Sequence, residues 1–242
     1  MFTKKELGSF IGAAIVLGLL VGFDDGQPVF IVNSWLVHVI SVIALALVML
    51  LLYTLAQRVI AQKFGGSVEK SLWSLHRYSL KPRHHLVGFG IPLWLLLPLI
   101  IALVSGSKLV FAGVLSSAVV TIPRLRIGYK LFGIREFERA ACLVAGPLSM
   151  MVLAIIFMGF EPSPLVLAAR YLAVALALSN LLPLPKLDGS QIFFGSLPLY
   201  MFSVVLAVVT LLMVVHVNAF LALLLGVVLG ATAVAAYWWK TI

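Results

Sequence analysis

The chain has 242 residues, 63% of them hydrophobic and only 10% charged, with a mean hydropathy of +1.18. That balance excludes a water-soluble globular domain, and apolar runs near the length of a membrane span recur along the chain. The net charge of +9 does not point to nucleic acid, because the basic residues are confined to loops between apolar runs, as orientation in a bilayer requires.

In chain order, residues 9–23 form the first apolar run, after Lys4, Lys5 and Glu6. No clear small-residue cleavage site precedes Asp24 and Asp25, so the run reads as a span rather than a signal peptide. Residues 24–34 hold no Lys or Arg and read as an outside loop. The run 35–60 is long enough to cross with tilt and carries Tyr53, Thr54 and Gln57 in its inner half. Residues 62–86 turn polar and strongly basic. Their His84-His85 pair is poorly built for one metal ion, since adjacent side chains diverge on a helix or a strand alike. A basic loop touching anionic headgroups fits better.

Residues 88–105 form a further span that Pro92 and Pro98 should kink or break, and 109–121 reads as a thin span or a re-entrant segment. A second basic loop covers 123–139. The run 140–160 contains Cys142, the single cysteine, and Ala145-Gly146-Pro147-Leu148-Ser149, whose small residues let a neighbouring helix approach closely. Residues 163–182 deliver Asn180 to a loop carrying Pro183, Pro185, Lys186, Asp188 and Gly189. Runs at 197–215 and 217–239 close the chain on Tyr237-Trp238-Trp239-Lys240, an aromatic and basic anchor for the headgroup level. The count is six to eight spans. With eight and both termini inside, fifteen of the seventeen Lys and Arg residues fall inside, which predicts cytoplasmic N- and C-termini.

The segment from Asn180 to Ile192 places an amide, two prolines and a carboxylate at membrane depth, where broken backbone and ionisable groups are tolerated only inside protein or beside water. Asn180-x-x-Pro183-x-Pro185-x-Leu187-Asp188-Gly189-x-x-Ile192, preceded by the Ala-Gly-Pro-Leu-Ser element, resembles the core of the site-2 protease family of intramembrane zinc metalloproteases. The resemblance implies that Asp188 is the third zinc ligand and that Asn180 helps hold the substrate strand. It also implies membrane-embedded β-strands, or a hairpin, within the first basic loop, and 68–80 has room for one. The family takes its other ligands from a His-Glu-x-x-His followed by a basic residue and Phe-Gly. In this chain Lys63-Phe64-Gly65 matches that tail, but Tyr53-Thr54-Leu55-Ala56-Gln57 stands where the ligands should be.

Two His at i and i+4 reach one zinc ion while the Glu between them takes a proton from its water. Tyr53 and Gln57 keep that spacing with a phenol and an amide, and Thr54 is no base near neutral pH. Asp188 is then a vestigial metal position that pairs with Lys186, Tyr53 or Gln57, or is carried neutral in an apolar setting.

The expectation is a single all-α polytopic membrane domain over 1–242. Residues 1–34 are an N-terminal span and outside loop, 35–195 a site-2-protease-like helix bundle, and 196–242 a C-terminal helix pair. Its expected role is that of a pseudoprotease without a cofactor, with Asn180, Pro183, Pro185 and Gly189 lining a cleft for a helix or extended segment of another membrane protein. One rival is an active zinc protease in which His84, His85 or another side chain joins Asp188. The other is a small transporter or channel built on a broken helix and a midplane carboxylate, against which stands the absence of an internal repeat.

Overall fold

The computed structural model describes residues 3–24, 31–74, 91–122, 133–213 and 219–241. They form eight helices and two strands: α1 (Lys4–Gly22), α2 (Val32–Lys63), β1 (Gly66–Leu72), α3 (Leu93–Ser105), β2 (Leu115–Thr121), α4 (Glu136–Met158), α5 (Pro164–Leu181), α6 (Asp188–Gly195), α7 (Leu197–Met213) and α8 (Ala219–Thr241). Five of these, α1, α2, α4, α5 and α8, are long and apolar enough to cross a membrane. The shorter α3 and α7 are also apolar.

Local sequence explains where the helices begin. Thr3 caps α1 in a box with Glu6, whose backbone N–H reaches the Thr3 hydroxyl at 3.2 Å. Ser163 caps α5 just before Pro164, which has no N–H to satisfy in the first turn. Outward faces are apolar rather than polar. Leu103 and Val104 on α3 are 80% and 84% exposed, and α2 presents Leu36, Val37, Ile40, Val48, Leu52, Leu55 and Val59 on its outside. Such surfaces suit lipid and not water, so the chain is a membrane protein by the length, composition and outer face of its helices.

The core lies where α4 packs against α2, α5 and α6, with α1 closing on α2. Phe10, Leu17, Met49, Leu143, Met150, Leu172 and Leu176 are fully buried there. The α7–α8 pair stands against this body through α4, α5 and α6.

Two sequence expectations are corrected. Residues 109–121 are not a span: the end of the run forms β2, which pairs antiparallel with β1 from Gly66↔Thr121 to Leu72↔Leu115. β1 and β2 are not joined as a hairpin, since α3 lies between them in the chain, and residues 75–80 of the expected hairpin lie outside the described residues. The physical reason is alternation. Val68 and Lys70 face inward while Glu69 and Ser71 face out, and Leu115 and Ser117 face inward while Ala118 is exposed. That period suits a small sheet covered on one face, and a lipid-facing helix offers it nothing.

Candidate functional site

Five elements meet at Asp188, the first residue of α6, whose side chain is fully buried. Tyr53 Oη donates to its Oδ2 at 2.5 Å, and Gln57 Nε2 to the same oxygen at 2.7 Å. These two lie one helical turn apart on the buried face of α2. From β2, the Ser117 hydroxyl donates to Oδ1. From β1, Lys70 Nζ sits 3.5 Å from Oδ2, bonds to the Ser117 hydroxyl oxygen, and lies 4.7 Å from the centroid of the Tyr53 ring. Burial works to strip Lys70 of its proton and the carboxylate beside it works to retain it, with a net shift downward from the ordinary lysine value.

The fifth element, α4, enters through its proline. Pro147 has no N–H for the carbonyl four residues back, that of Leu143. Gln57 Nε2 fills the vacancy at 2.9 Å, so one amide serves both the broken helix and the carboxylate. Gly146, beside that proline, leaves the room: a Cβ there would lie 2.5 Å from the Tyr53 ring and 2.7 Å from Gln57 Nε2. Gly189 does the same for the other half, because a Cβ would lie 2.4 Å from the carbonyl oxygens of both Leu181 and Leu182, where α6 folds back on the end of α5. The connecting loop is pinned by Trp73 Nε1, which donates to Pro185 O at 2.9 Å, and by Leu187, buried against Trp73 and Phe111.

The structure thus brings Tyr53, Gln57, Asp188 and Gly189 together and leaves other sequence candidates apart. Thr54 turns its hydroxyl back to Leu50 O at 2.9 Å. Asn180 is buried, but its amide donates to Leu176 O within its own helix. Pro183 and Pro185 are exposed in the loop. Lys186 is no partner of Asp188, since its ammonium reaches Ser74 O at 3.0 Å. His84 and His85 lie outside the described residues. Sequence reading missed Lys70 and Ser117. The clue to Lys70 was its place two residues after Val68 in an alternating stretch, whereas Ser117 was hidden by taking its run for a span.

This donor set does not suit zinc. It offers one carboxylate, a phenol and an amide, and the carboxylate already faces the Lys70 ammonium at 3.5 Å. Among the described residues no group of three His, Cys, Asp or Glu side chains is placed to hold a metal ion.

Among the described residues, the sheet beside the cluster is capped more fully on its β1 edge than on its β2 edge. Trp73 N–H bonds Val114 O, and Ile122 N–H bonds Gly65 O. With the register above, residues 116, 118 and 120 turn their backbone groups toward β1, whereas 115, 117, 119 and 121 turn theirs outward. On the outer edge of β1, Arg58 Nε caps Val68 O at 2.9 Å and Glu6 Oε1 takes Lys70 N–H at 3.1 Å, and these two caps are themselves ion-paired. On the outer edge of β2, Gln191 Nε2 reaches Ser117 O at 2.8 Å. Among the described residues, the N–H and C=O of Val119 have no hydrogen-bond partner. A cleft reaches this edge, lined by Ser71 of β1, by Ser116, Ser117, Ala118 and Val119 of β2, and by Arg139, Lys186 and Gln191. Comparison with protein-family models, with curated proteins and with solved structures finds no match for this chain.

Proposed function

We propose that the chain is a site-2-protease-like membrane protein without peptidase activity, which holds an extended segment of another membrane protein against the outer edge of β2. The Val119 edge, without a hydrogen-bond partner among the described residues, carries this reading: such strand groups bordering a cleft invite a further strand, and main-chain hydrogen bonding needs no metal. The resemblance to the protease family is supported by Tyr53 and Gln57 facing Asp188 at the spacing of the missing histidines. The Asp188 cluster then serves as a rigid floor that fixes β1, β2, α2, α4 and α6 in one arrangement. Cytoplasmic termini belong to the same reading, on the strength of the basic loops.

The test uses full-length protein in nanodiscs and a fluorescent, end-blocked, Val/Thr-rich ten-residue peptide. Val119→Pro deletes an outward N–H and leaves the ladder to β1 intact, so it should weaken binding about tenfold, while Val119→Ala should not. The peptide should stay whole by mass spectrometry when zinc is added. Equal binding by Val119→Pro and Val119→Ala, or zinc-dependent cleavage lost in Asp188→Ala, would overturn the proposal.

A further inference from the structure

The cleft along β2 has a sign. Arg139 on α4 and Lys186 in the α5–α6 loop both line it, together with residues of the two strands. Among the described residues the Arg139 guanidinium is loosely paired: Glu136, largely exposed, lies 3.7 Å from Nη1, and Nε is buried without a hydrogen-bond partner. Lys186 spends one donor on Ser74 O and keeps two. The serines and Gln191 add neutral polar groups, and among the described residues no Asp or Glu lines the cleft. The Asp188 carboxylate beneath is fully buried and already engaged by four side chains, so it does not offset these cations at the mouth.

Resting on the reading that β2 accepts a strand, we infer that the segment it accepts is acidic, carrying an Asp or Glu side chain that Arg139 and Lys186 receive while Val119 pairs with its backbone. A guanidinium whose one paired acid among the described residues stands 3.7 Å away has donors left for a carboxylate, which attracts them more strongly than a neutral amide does. The same pair of cations disfavours a basic segment by like-charge contact. Specificity and capture are therefore divided: the strand edge supplies sequence-blind hydrogen bonds, and the α4 and loop cations choose among segments.

The test is binding of three end-blocked peptides to the full-length protein in nanodiscs of uncharged lipid. They are identical but for a central Glu, Gln or Lys, and blocking both ends removes terminal carboxylates as a source of the signal. The Glu peptide should bind about fivefold more tightly than the Gln peptide at low salt, with the Lys peptide weakest, and the spread should shrink toward 1 M salt. Arg139→Gln combined with Lys186→Gln should equalise the Glu and Gln peptides. Equal affinities for Glu and Gln peptides in the unaltered protein would overturn the acidic preference and leave strand capture standing. Failure of all three peptides to bind would overturn both. A Glu preference that survives the double substitution would place its source elsewhere and overturn the assignment to these residues.

Discussion

Gln57 donates to the carbonyl of Leu143 at 2.9 Å, the acceptor that Pro147 leaves without its helical partner. The same nitrogen donates to Asp188 at 2.7 Å, so the kink in α4 and the carboxylate of α6 are held by a single amide on α2. Its orientation follows from its partners: turned over, the Gln57 oxygen would face two acceptors. In a bilayer the freed carbonyl has no water to turn to, which gives the site a structural role alongside any binding role.

Gln57→Leu should therefore destabilise the protein by about 2–4 kcal/mol, because it orphans a buried carbonyl and removes a donor from a buried carboxylate. Adding Pro147→Ala returns an N–H to the Leu143 carbonyl and should recover part of the loss. Thermal unfolding of the two single variants and the double in detergent measures the coupling. Strict additivity would mean that the amide and the proline are independent.

Lys70 and Asp188 should fail singly and recover together. Lys70→Met leaves a carboxylate buried without its cation, and Asp188→Leu leaves a buried lysine without its anion, each costing about 3–5 kcal/mol. The Lys70→Met, Asp188→Leu pair removes both charges and should restore folding close to that of the unaltered protein. Expression level and melting temperature in matched detergent report the result.

The two glycines at the site should differ in tolerance. At Gly146 an added methyl meets the edge of the Tyr53 ring and the end of Gln57, side chains able to shift at a cost of about 1–3 kcal/mol. At Gly189 it meets two backbone carbonyls that cannot yield without displacing α6. Gly189→Ala should thus be the more damaging, and protease sensitivity of the α5–α6 loop measures it.

Rebuilding the missing ligands should not suffice to bind zinc. Tyr53→His, Thr54→Glu and Gln57→His restore the residue types that a metallopeptidase needs, yet Lys70 would still press a basic group against the carboxylate. Stoichiometric zinc, measured by elemental analysis of purified protein, is expected only when Lys70→Ala is added. Zinc in the triple variant at the level of the quadruple would show that Lys70 does not guard the site.

The sequence by itself determined that the chain carries long apolar helices suited to a membrane, because hydropathy is a sum over neighbours and needs no tertiary partner. It also determined the unusual segment around Asp188, since prolines and a carboxylate between apolar runs are conspicuous wherever they end up. Lys70 and Ser117 were legible only as a lysine in a basic loop and a serine in an apolar run. Their roles were decided by β1 and β2 pairing across the intervening α3, which turns alternate residues of both strands to one face. Strand pairing is long-range and leaves each short strand free to pass for loop or span until its partner is known. The tertiary structure alone therefore decided that the buried carboxylate faces a lysine, and that Val119 has no backbone partner among the described residues.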